Sequence, residues 1–328
     1  MTDLSPELQR QVVGEAARAP SVHNVQPACW RFLPGGEVGL FRDVRRAIPV
    51  ADPSGRDVLV SLGAAFEGMA LSLSRRGLGL SEPEPWEAPA EGPCEPVCKA
   101  RIVDRAAPDP LAGELLRRRA YRGRFAKAAE AEVASLCQRF ERAEDVALLF
   151  EDLGRRHDEA TYGFVQQPEY EEELYRWLRF RKGTPDWKRD GLNADCMALS
   201  VPERWAGAVL LHPRVYPLMK SLGLGRILIS EASRVSSAAA LLLFHAPQEQ
   251  SPFDVGRRFH RLWLELSAAG WHACPLSALA DDPAANAEIR AKAGLPEHRR
   301  LVNVLRVGKA PEGAVAESPR LPAGELIV

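Results

Sequence analysis

Apolar residues recur along this chain at two spacings, one typical of helices and the other of strands. From Asp52 to about Arg76, apolar residues every three or four positions, with small residues between them, predict a well-buried helix. Ser5 followed by Pro6 predicts the start of an earlier helix. In all, the pattern predicts helices at residues 5–18, 52–76, 111–119, 128–142 and from 251 onward, and strands within 29–43 (a hairpin), 98–104, 145–151, 238–246 and 301–309.

Two of the apolar segments resemble each other. Residues 63–77 align with residues 256–270 without a gap, at an offset of 193. Two leucine-rich helices that both end in glycine could agree by coincidence, but a duplication explains the match better. The identical pairs are Gly63 and Gly256, Phe66 and Phe259, Leu71 and Leu264, Leu73 and Leu266, Ser74 and Ser267, and Gly77 and Gly270.

The composition, 46% apolar and 27% charged among 328 residues, is typical of a globular protein. The net charge of −1 gives no reason to expect a nucleic-acid partner. No apolar run predicts a membrane span, and the first residues lack the apolar core of a signal peptide, so we expect a cytoplasmic protein. Among six scattered cysteines only Cys94 and Cys98 lie close in sequence, so we expect reduced thiols and no metal site.

A polar loop follows the first predicted helix. The stretch "RAPSVHNVQP", residues 18–27, places Ser21, His23, Asn24 and Gln26 between two prolines. These hydrogen-bonding side chains are too many for a core segment and too closely set for a linker. We therefore interpret the loop as one that holds a flat, polar ligand.

This loop resembles the flavin-binding segment of the nitroreductase family. The stretch "APSVHNVQPACWRF" matches a P-S-x-x-N-x-Q-P-W type run, except that the family's tryptophan usually follows directly and here stands at Trp30. His23, the later "RRRAYRGRF" and the chain length resemble the Acg-type branch, in which one chain carries two nitroreductase-like halves and a lid covers the flavin. The resemblance implies an α+β fold of two fused halves, with central sheets flanked by helices, around one FMN.

The resemblance also implies how the chain is divided. Ordinary family members are homodimers that build each FMN site from both subunits. Here residues 1–105 would be the half that carries the flavin-ring loop, and residues 106–328 the half with the phosphate site, the lid and a C-terminal tail that wraps over the surface. We therefore expect one site per intertwined chain, in a monomer that mimics a dimer or in a weak homodimer.

Arginines are the side chains that the resemblance implies for the FMN phosphate. Arg118 and Arg122 stand at the spacing of the family's R-x-S-x-R/K segment, where Ala120 replaces a serine or threonine and removes one hydrogen bond. Arg320, in "SPRLP", resembles the family's closing basic segment. Guanidinium groups bind phosphate oxygens well, and on a helix Arg118 and Arg122 would share one face. The alternative for each arginine is a solvated surface charge.

For the flavin ring, the resemblance implies Asn24 and Gln26 as donors and acceptors, and Pro275, in "GWHACPLSAL", as part of the wall. His23 would donate near the ring or the phosphate, or else is a packed loop histidine. No side chain need act as acid or base, because the flavin N5 carries the hydride. The full set of implied cofactor residues is Pro20, Ser21, His23, Asn24, Gln26, Arg118, Arg122, Pro275 and Arg320.

The segment from about 155 to 200 lacks a counterpart in ordinary family members and is rich in aromatic residues, so we predict a lid over the flavin. The alternative is a helical hairpin on the outside, with the aromatics as its own small core. The resemblance implies an FMN-dependent oxidoreductase that uses NAD(P)H and a small-molecule acceptor. A flavin-storage protein and a biosynthetic dehydrogenase with one specialised substrate need the same site and stay open.

Overall fold

The computed structural model describes residues 3–328, and its helices and antiparallel sheets confirm the α+β prediction. The hydroxyl of Ser5 accepts a hydrogen bond from the Leu8 N–H and caps the first helix, as predicted. The first elements are α1 (Pro6–Ala16), β1 (Ala28–Leu33), β2 (Glu37–Asp43), α2 (Arg56–Ser74), β3 (Leu78–Leu80), β4 (Glu84–Pro85) and β5 (Cys94–Asp104).

The rest of the chain carries the remaining elements, which include the strands and the Ser251-capped helix that the sequence predicts. In chain order they are α3 (Glu130–Phe140), β6 (Val146–Leu149), α4 (Gly154–Phe164), α5 (Pro168–Arg176), β7 (Leu178–Arg179), β8 (Leu192–Asn193), α6 (Val201–Leu210), α7 (Tyr216–Ser221), α8 (Gly225–Ile229), α9 (Ala232–Val235), β9 (Ala240–Pro247), α10 (Pro252–Ala268), β10 (His272–Pro275), α11 (Ser277–Asp281), α12 (Pro283–Lys292) and β11 (Arg299–Gly308).

The two main sheets have the same strand order. Sheet 1 runs β1-β2-β5-β3, with β4 also paired to β5, and sheet 2 runs β6-β9-β11-β10. All these neighbours are antiparallel. The order along the chain also agrees, since α1-β1-β2-α2-β3-β5 corresponds to α3-β6-β9-α10-β10-β11. In β9, residues 241 and 243 pack on one face of sheet 2 and residues 242 and 244 on the other, so both faces are buried.

The helices α2 and α10, which contain the repeated sequence, pack directly against each other. A Cβ at Gly63 would lie 1.8 Å from the Phe253 carbonyl oxygen, and one at Gly256 would lie 2.0 Å from the Val60 carbonyl oxygen. The two contacts are equivalent under the offset of 193. Residue 253 corresponds to residue 60 and residue 256 to residue 63, so each contact becomes the other when the two helices are exchanged. The two helices therefore cross about a local twofold axis, and glycine at the crossing allows their backbones to touch.

The connection between β6 and β9 is a large insertion, residues 150–239, which we call the insertion. Its counterpart in sheet 1 is the short turn 34–36 between β1 and β2. The insertion contains α4 to α9 and the small parallel pair β7–β8. The segment 155–200 that the sequence marks as extra therefore lies inside a longer insertion.

The predicted helix at 111–119 is wrong. Only a 3-10 turn forms, at Ala112–Leu116, and the chain after it runs beside sheet 2, where Ala120 bridges to Ala273 and Ala126 to Lys309. Pairing with the sheet satisfies backbone groups that a helix would satisfy internally. Arg118 and Arg122 are therefore not on a helix, although alternate residues of such an extended segment still point the same way.

The C-terminal tail returns to sheet 1. The Trp30 N–H donates to the Leu326 carbonyl at 2.7 Å, and the Val328 N–H donates to the Trp30 carbonyl at 2.9 Å. Leu321 and Leu326 are buried in the core of the first half. In that core, α2 is long and apolar enough to cross a membrane, but 78% of its apolar window is buried inside the protein.

Candidate functional site

The predicted ligand loop has an unusual backbone. His23, Asn24 and Gln26 are left-handed, with φ of 43°, 57° and 55°. Such values are uncommon in residues other than glycine and persist only where the surroundings hold them. Here the Ser21 hydroxyl accepts a hydrogen bond from the Gln26 N–H at 3.1 Å, and Ser61 of α2 accepts one from the loop backbone at 3.1 Å. The loop is a fixed turn seated on α2.

The amide side chains of this loop bind other parts of the protein. Asn24 Nδ2 donates to the Gly191 carbonyl at 2.9 Å, and Asn24 Oδ1 accepts from Arg320 at 2.8 Å. Gln26 Nε2 donates to the Arg189 carbonyl at 2.9 Å, and its oxygen accepts from the tail backbone at 2.9 Å. Both amides therefore join the loop to the insertion and to the tail.

A cavity of about 630 Å³ lies between this loop, α2, α10 and the insertion. Its size is within the usual range of small-molecule sites. Gln26 belongs to the loop but does not line the cavity. The other predicted cofactor residues all line it: Pro20, Ser21, His23, Asn24, Arg118, Arg122, Pro275 and Arg320.

Arginines from two distant parts of the chain, the segment before sheet 2 and the C-terminal tail, line this cavity. Arg118 is 4% exposed, donates to the Arg18 carbonyl at 2.7 Å, and stacks its guanidinium 4.6 Å from the centre of the Trp263 ring. Arg320 donates to Asn24, as described above. Arg122 is half-buried and forms no salt bridge or side-chain hydrogen bond with the described residues, 3–328.

Carboxylates do not balance these arginines. Glu317 forms salt bridges with Arg119 at 3.1 Å and with Arg18 at 3.6 Å, but its own side chain is 75% exposed. Within the described part of the chain, no acidic side chain lies within salt-bridge distance of Arg118, Arg122 or Arg320. One wall of the cavity therefore carries uncompensated positive charge.

The electrostatics of the buried arginines follow from this imbalance. Burial, and then the charge of Arg320, lowers the pKa of Arg118 well below its usual value. Burial, followed by the charges of Arg18 and Arg119, lowers the pKa of Arg320 to about 9. The Nε atoms of Arg118 and Arg320 are buried without a hydrogen-bond partner. A bound anion would stabilise the charged forms and supply the missing acceptors.

His23 lines the cavity beside this charge. Burial, and then the positive charge of Arg122, lowers the pKa of His23 to about 4. The imidazole is therefore neutral at neutral pH and can donate from only one of its two ring nitrogens.

The insertion supplies half of the lining residues, and the sequence pattern identified none of these as pocket residues. Most are apolar: Val165, Leu174, Leu178, Phe180, Leu192, Met197, Leu199, Ala206, Leu211, Ile227, Leu228 and Ile229. Of the aromatic residues behind the lid prediction, only Phe180 lines the cavity. Phe164 stacks on Tyr170 at 5.4 Å, and Trp177 packs under the loop against Val25. Phe164 and Tyr170 thus pack within the insertion, whereas Trp177 packs against the loop.

Three further polar residues of the lining carry buried atoms without a hydrogen-bond partner: His157 Nδ1, Thr161 Oγ1 and Asn303 Oδ1. No motif marked them in the sequence, because single His, Thr and Asn residues are common in every part of a chain. They show that the cavity offers hydrogen-bonding groups in addition to the arginines.

A separate group of possible metal ligands lies away from the cavity. Cys29, Asp43 and Cys94 place their ligand atoms within 4.8 Å of one another. Asp43 is already engaged by the Arg45 guanidinium at 3.0 and 2.7 Å, and burial, with the neighbouring Cys94 thiol, raises the pKa of Cys29. A protonated thiol beside a paired carboxylate is a poor metal site. In the folded protein the thiol of Cys94 thus lies beside that of Cys29, whereas in the sequence Cys98 is the cysteine close to Cys94.

The cavity thus combines a cationic wall, a fixed polar loop and a long apolar wall. This arrangement suits a flat molecule that carries an anionic group at one end. Cofactors that consist of an aromatic ring and a phosphate have this chemistry.

Several known proteins with a similar sequence are named as probable or putative nitroreductases. The probable NAD(P)H nitroreductase PigM of Serratia sp. is 24% identical over 313 residues, which cover 85% of this chain and 82% of PigM. The putative NAD(P)H nitroreductase acg of Mycobacterium tuberculosis is 34% identical over 77 residues, 23% of each chain. The match to the first curated relatives spans only 18% of their length. These names support the nitroreductase family.

Among solved structures, the FMN- and NADPH-dependent nitroreductase NfnB of Sphigopyxis sp. strain HMH matches 67% of this chain and 98% of its own. The identity is 20% and the TM-score 0.34. No family model matches the sequence.

Proposed function

We propose that this protein is an FMN-dependent oxidoreductase of the nitroreductase family, which passes a hydride from NAD(P)H to a small-molecule acceptor. The observation that carries the proposal is the uncompensated cluster of Arg118, Arg122 and Arg320 beside the left-handed loop, within one cavity. A phosphate dianion fits this cluster, because it offers acceptors for the buried, unpartnered Nε atoms of Arg118 and Arg320.

The chain's own residues would hold the cofactor at both ends. Arg122, which has no side-chain hydrogen bond or salt bridge within residues 3–328, binds the phosphate directly, while Arg118 and, from the C-terminal tail, Arg320 also contact it. The loop carrying Ser21 and His23, together with Pro275, bounds the ring. When bound, FMN supplies the hydride chemistry at its N5 atom, so the protein's task is to orient the ring and exclude water.

The fused-half organisation would make this a single-chain version of a dimeric site. The supporting observations are the equal strand orders of sheets 1 and 2 and the α2–α10 crossing, which relates residues by the offset of 193. Arg118 and Pro275 come from the second half and the loop from the first, so a monomer can complete one site. The Acg-type branch, with the insertion as its lid, accounts for the extra residues. We further propose a reducing cytoplasmic setting, which suits the six free cysteines.

Flavin storage is the second candidate. Its support is the attachment of the insertion to the loop through Asn24 and Gln26, which would hold a lid closed. The continuation of the cavity along the apolar wall of the insertion favours turnover, because storage of FMN needs no space beyond the cofactor.

The test is to load the purified protein with FMN, remove free flavin, denature it and measure the flavin released. We expect about one equivalent per chain. The loaded protein is then mixed anaerobically with NADPH, and loss of flavin absorbance is expected within seconds. A protein that takes up no FMN, or two per chain, contradicts the FMN site. One FMN that neither NADPH nor NADH reduces within minutes favours storage.

A further inference from the structure

The part of the cavity inside the insertion differs in chemistry from the part near the loop. Its walls come from α4, α5, α6 and α8 and are largely aliphatic. Its charged members, Arg234, Glu203 and Glu231, form salt bridges with one another, because Arg234 contacts Glu203 at 3.4 Å and Glu231 at 3.3 Å. Ser230 donates to Asp158. Among the described residues, no charged side chain of this lining is left without a salt bridge, so this compartment suits an uncharged molecule.

Two polar groups in this compartment have no partner. His157 is 6% exposed, and its Nδ1 lies 3.7 Å from Asp158 Oδ1, too far for a hydrogen bond. Thr161 lies one turn later on α4, so both side chains share a face of the helix, and its buried Oγ1 has no partner either. An unpaired buried polar group costs free energy. Both side chains line the cavity, where a ligand can supply the missing partner.

The outside of the insertion continues the apolar surface. Ile227 lines the cavity and is also 71% exposed, and Trp205 and Val209 on α6 are 64% and 54% exposed. Exposed apolar side chains on helices that also line the cavity favour contact with an apolar molecule.

We propose that the insertion builds a subsite for an uncharged, largely apolar acceptor with a single hydrogen-bonding group, which His157 and Thr161 bind. This inference rests on the proposed function, since it places the acceptor beside the FMN site. It names the substrate class that the insertion selects. Acidic and strongly basic acceptors are excluded from the subsite, because it offers them no unpaired counter-charge.

The probe for the test is Prodan, an uncharged naphthalene with one carbonyl, whose emission shifts to the blue in apolar surroundings. It is titrated into the oxidised, FMN-loaded protein. We expect saturable binding of about one Prodan per chain with FMN retained. Thr161→Val keeps the shape of the side chain and should weaken Prodan binding about five- to tenfold, the loss expected for one hydrogen bond. His157→Leu should act in the same direction, and Leu228→Glu should abolish binding.

Thr184→Val is the matched control, because Thr184 lies on the exposed surface of the insertion and should leave Prodan affinity unchanged. FMN content is measured in every variant and should stay near one per chain. If the wild type holds FMN but does not bind Prodan, or if Prodan displaces FMN, the subsite is wrong while the FMN site stands. Equal affinity in wild type, Thr161→Val and Leu228→Glu also overturns it. If the wild type takes up no FMN, the proposed function itself fails.

Discussion

At the scale of single residues, the arginines of the cavity are not equivalent. Arg118 and Arg320 each donate to protein oxygens and so have a structural part as well. Arg122 has no such partner among residues 3–328, although it faces the same cavity. Without a bound anion, the positive charge of Arg122 only repels the positive charges of Arg118 and Arg320. Arg122 is therefore the residue whose role depends most on an anion.

Arg122→Ala should weaken FMN binding by about 1.5–3 kcal/mol, which is roughly a ten- to hundredfold rise in Kd, because it removes a charge-assisted hydrogen bond to the phosphate. The FMN-free variant should be about as stable as wild type, since it loses no hydrogen bond or salt bridge within residues 3–328. Equilibrium titration of the apoprotein with FMN and thermal unfolding without ligand measure the two effects.

The control for this variant is Arg124→Ala, an exposed arginine two residues away that does not line the cavity. It should leave the FMN Kd unchanged. Equal Kd values for Arg122→Ala and wild type would show that the phosphate lies elsewhere.

At the scale of secondary-structure elements, the close crossing of α2 and α10 holds the two halves together. The contacts of Gly63 and Gly256 are with backbone carbonyls, which cannot move as a flexible side chain can. Further pairs follow the same twofold relation: His260 Nδ1 contacts the Ala64 carbonyl at 2.8 Å, and Glu67 accepts from Arg257 at 3.2 Å. Position 260 corresponds to 67 and position 257 to 64.

Gly63→Ala should therefore destabilise the protein by about 2–3 kcal/mol, the usual cost of overpacking a core. Gly256→Ala should do the same, because the two contacts are related by the local twofold axis. Chemical denaturation measures the change in unfolding free energy. Gly113→Ala is the control: no atom lies within 4 Å of its new Cβ, so it should change stability by less than about 1 kcal/mol. A tolerated alanine at both crossing positions would contradict the helix packing.

The insertion lines the cavity and also forms hydrogen bonds with the first half, including the polar loop. Glu173 of α5 accepts hydrogen bonds from the Val50 and Ala51 N–H groups at 3.1 and 2.8 Å, and Gly191 accepts from Asn24. A deletion within the insertion would therefore disturb the loop as well as open the cavity. Point substitutions along the apolar wall are the sharper way to probe access to the cavity.

At the scale of the whole molecule, one acidic cluster should make stability depend on pH. Asp281 lies near Asp57 and Asp52, and its carboxylate accepts from Arg56 at 2.9 Å. Burial, and then the charge of Asp57, raises the pKa of Asp281 to about 7, against the partial compensation of Arg56. Arg300 also faces the cluster and offsets part of the charge on Asp57.

An unfolded aspartate has a pKa of about 3.9. Between about pH 4 and pH 7 the folded protein therefore binds more protons than the unfolded chain, and its stability falls as the pH rises through this window. Asp281→Asn removes this titration. The Tm of the variant relative to wild type should rise between pH 5 and pH 8, by at least about 2 °C. Calorimetry at the two pH values measures the difference.

Asp186→Asn, at an exposed aspartate of the insertion, is the control and should show no such change between pH 5 and pH 8. If the Asp281→Asn variant gains nothing at pH 8, then Asp281 ionises normally and the acidic cluster does not destabilise the fold.

Local features of the chain were predictable from the sequence. The Ser5 cap, the hairpin around residues 34–36 and the α2 and α10 helices depend on spacing and on turn chemistry within a few residues. The polar loop could likewise be singled out as a candidate ligand loop, because its side chains are adjacent in sequence. The helix predicted at 111–119 failed, because pairing of Ala120 with Ala273 is a contact over 153 positions that no local pattern shows.

The sequence by itself determined the long helices and the main strands, the repeated helix and the candidate residues of the loop and the arginine segment. Only the tertiary structure decided which contacts those residues make. The partners of Asn24 and Gln26 lie more than 160 positions away, and the charge imbalance around Arg122 depends on which carboxylates fold nearby. Apolar residues of the insertion have the same spacing whether they face a core or a cavity, so the compartment with His157 and Thr161 exists only once the helices are packed.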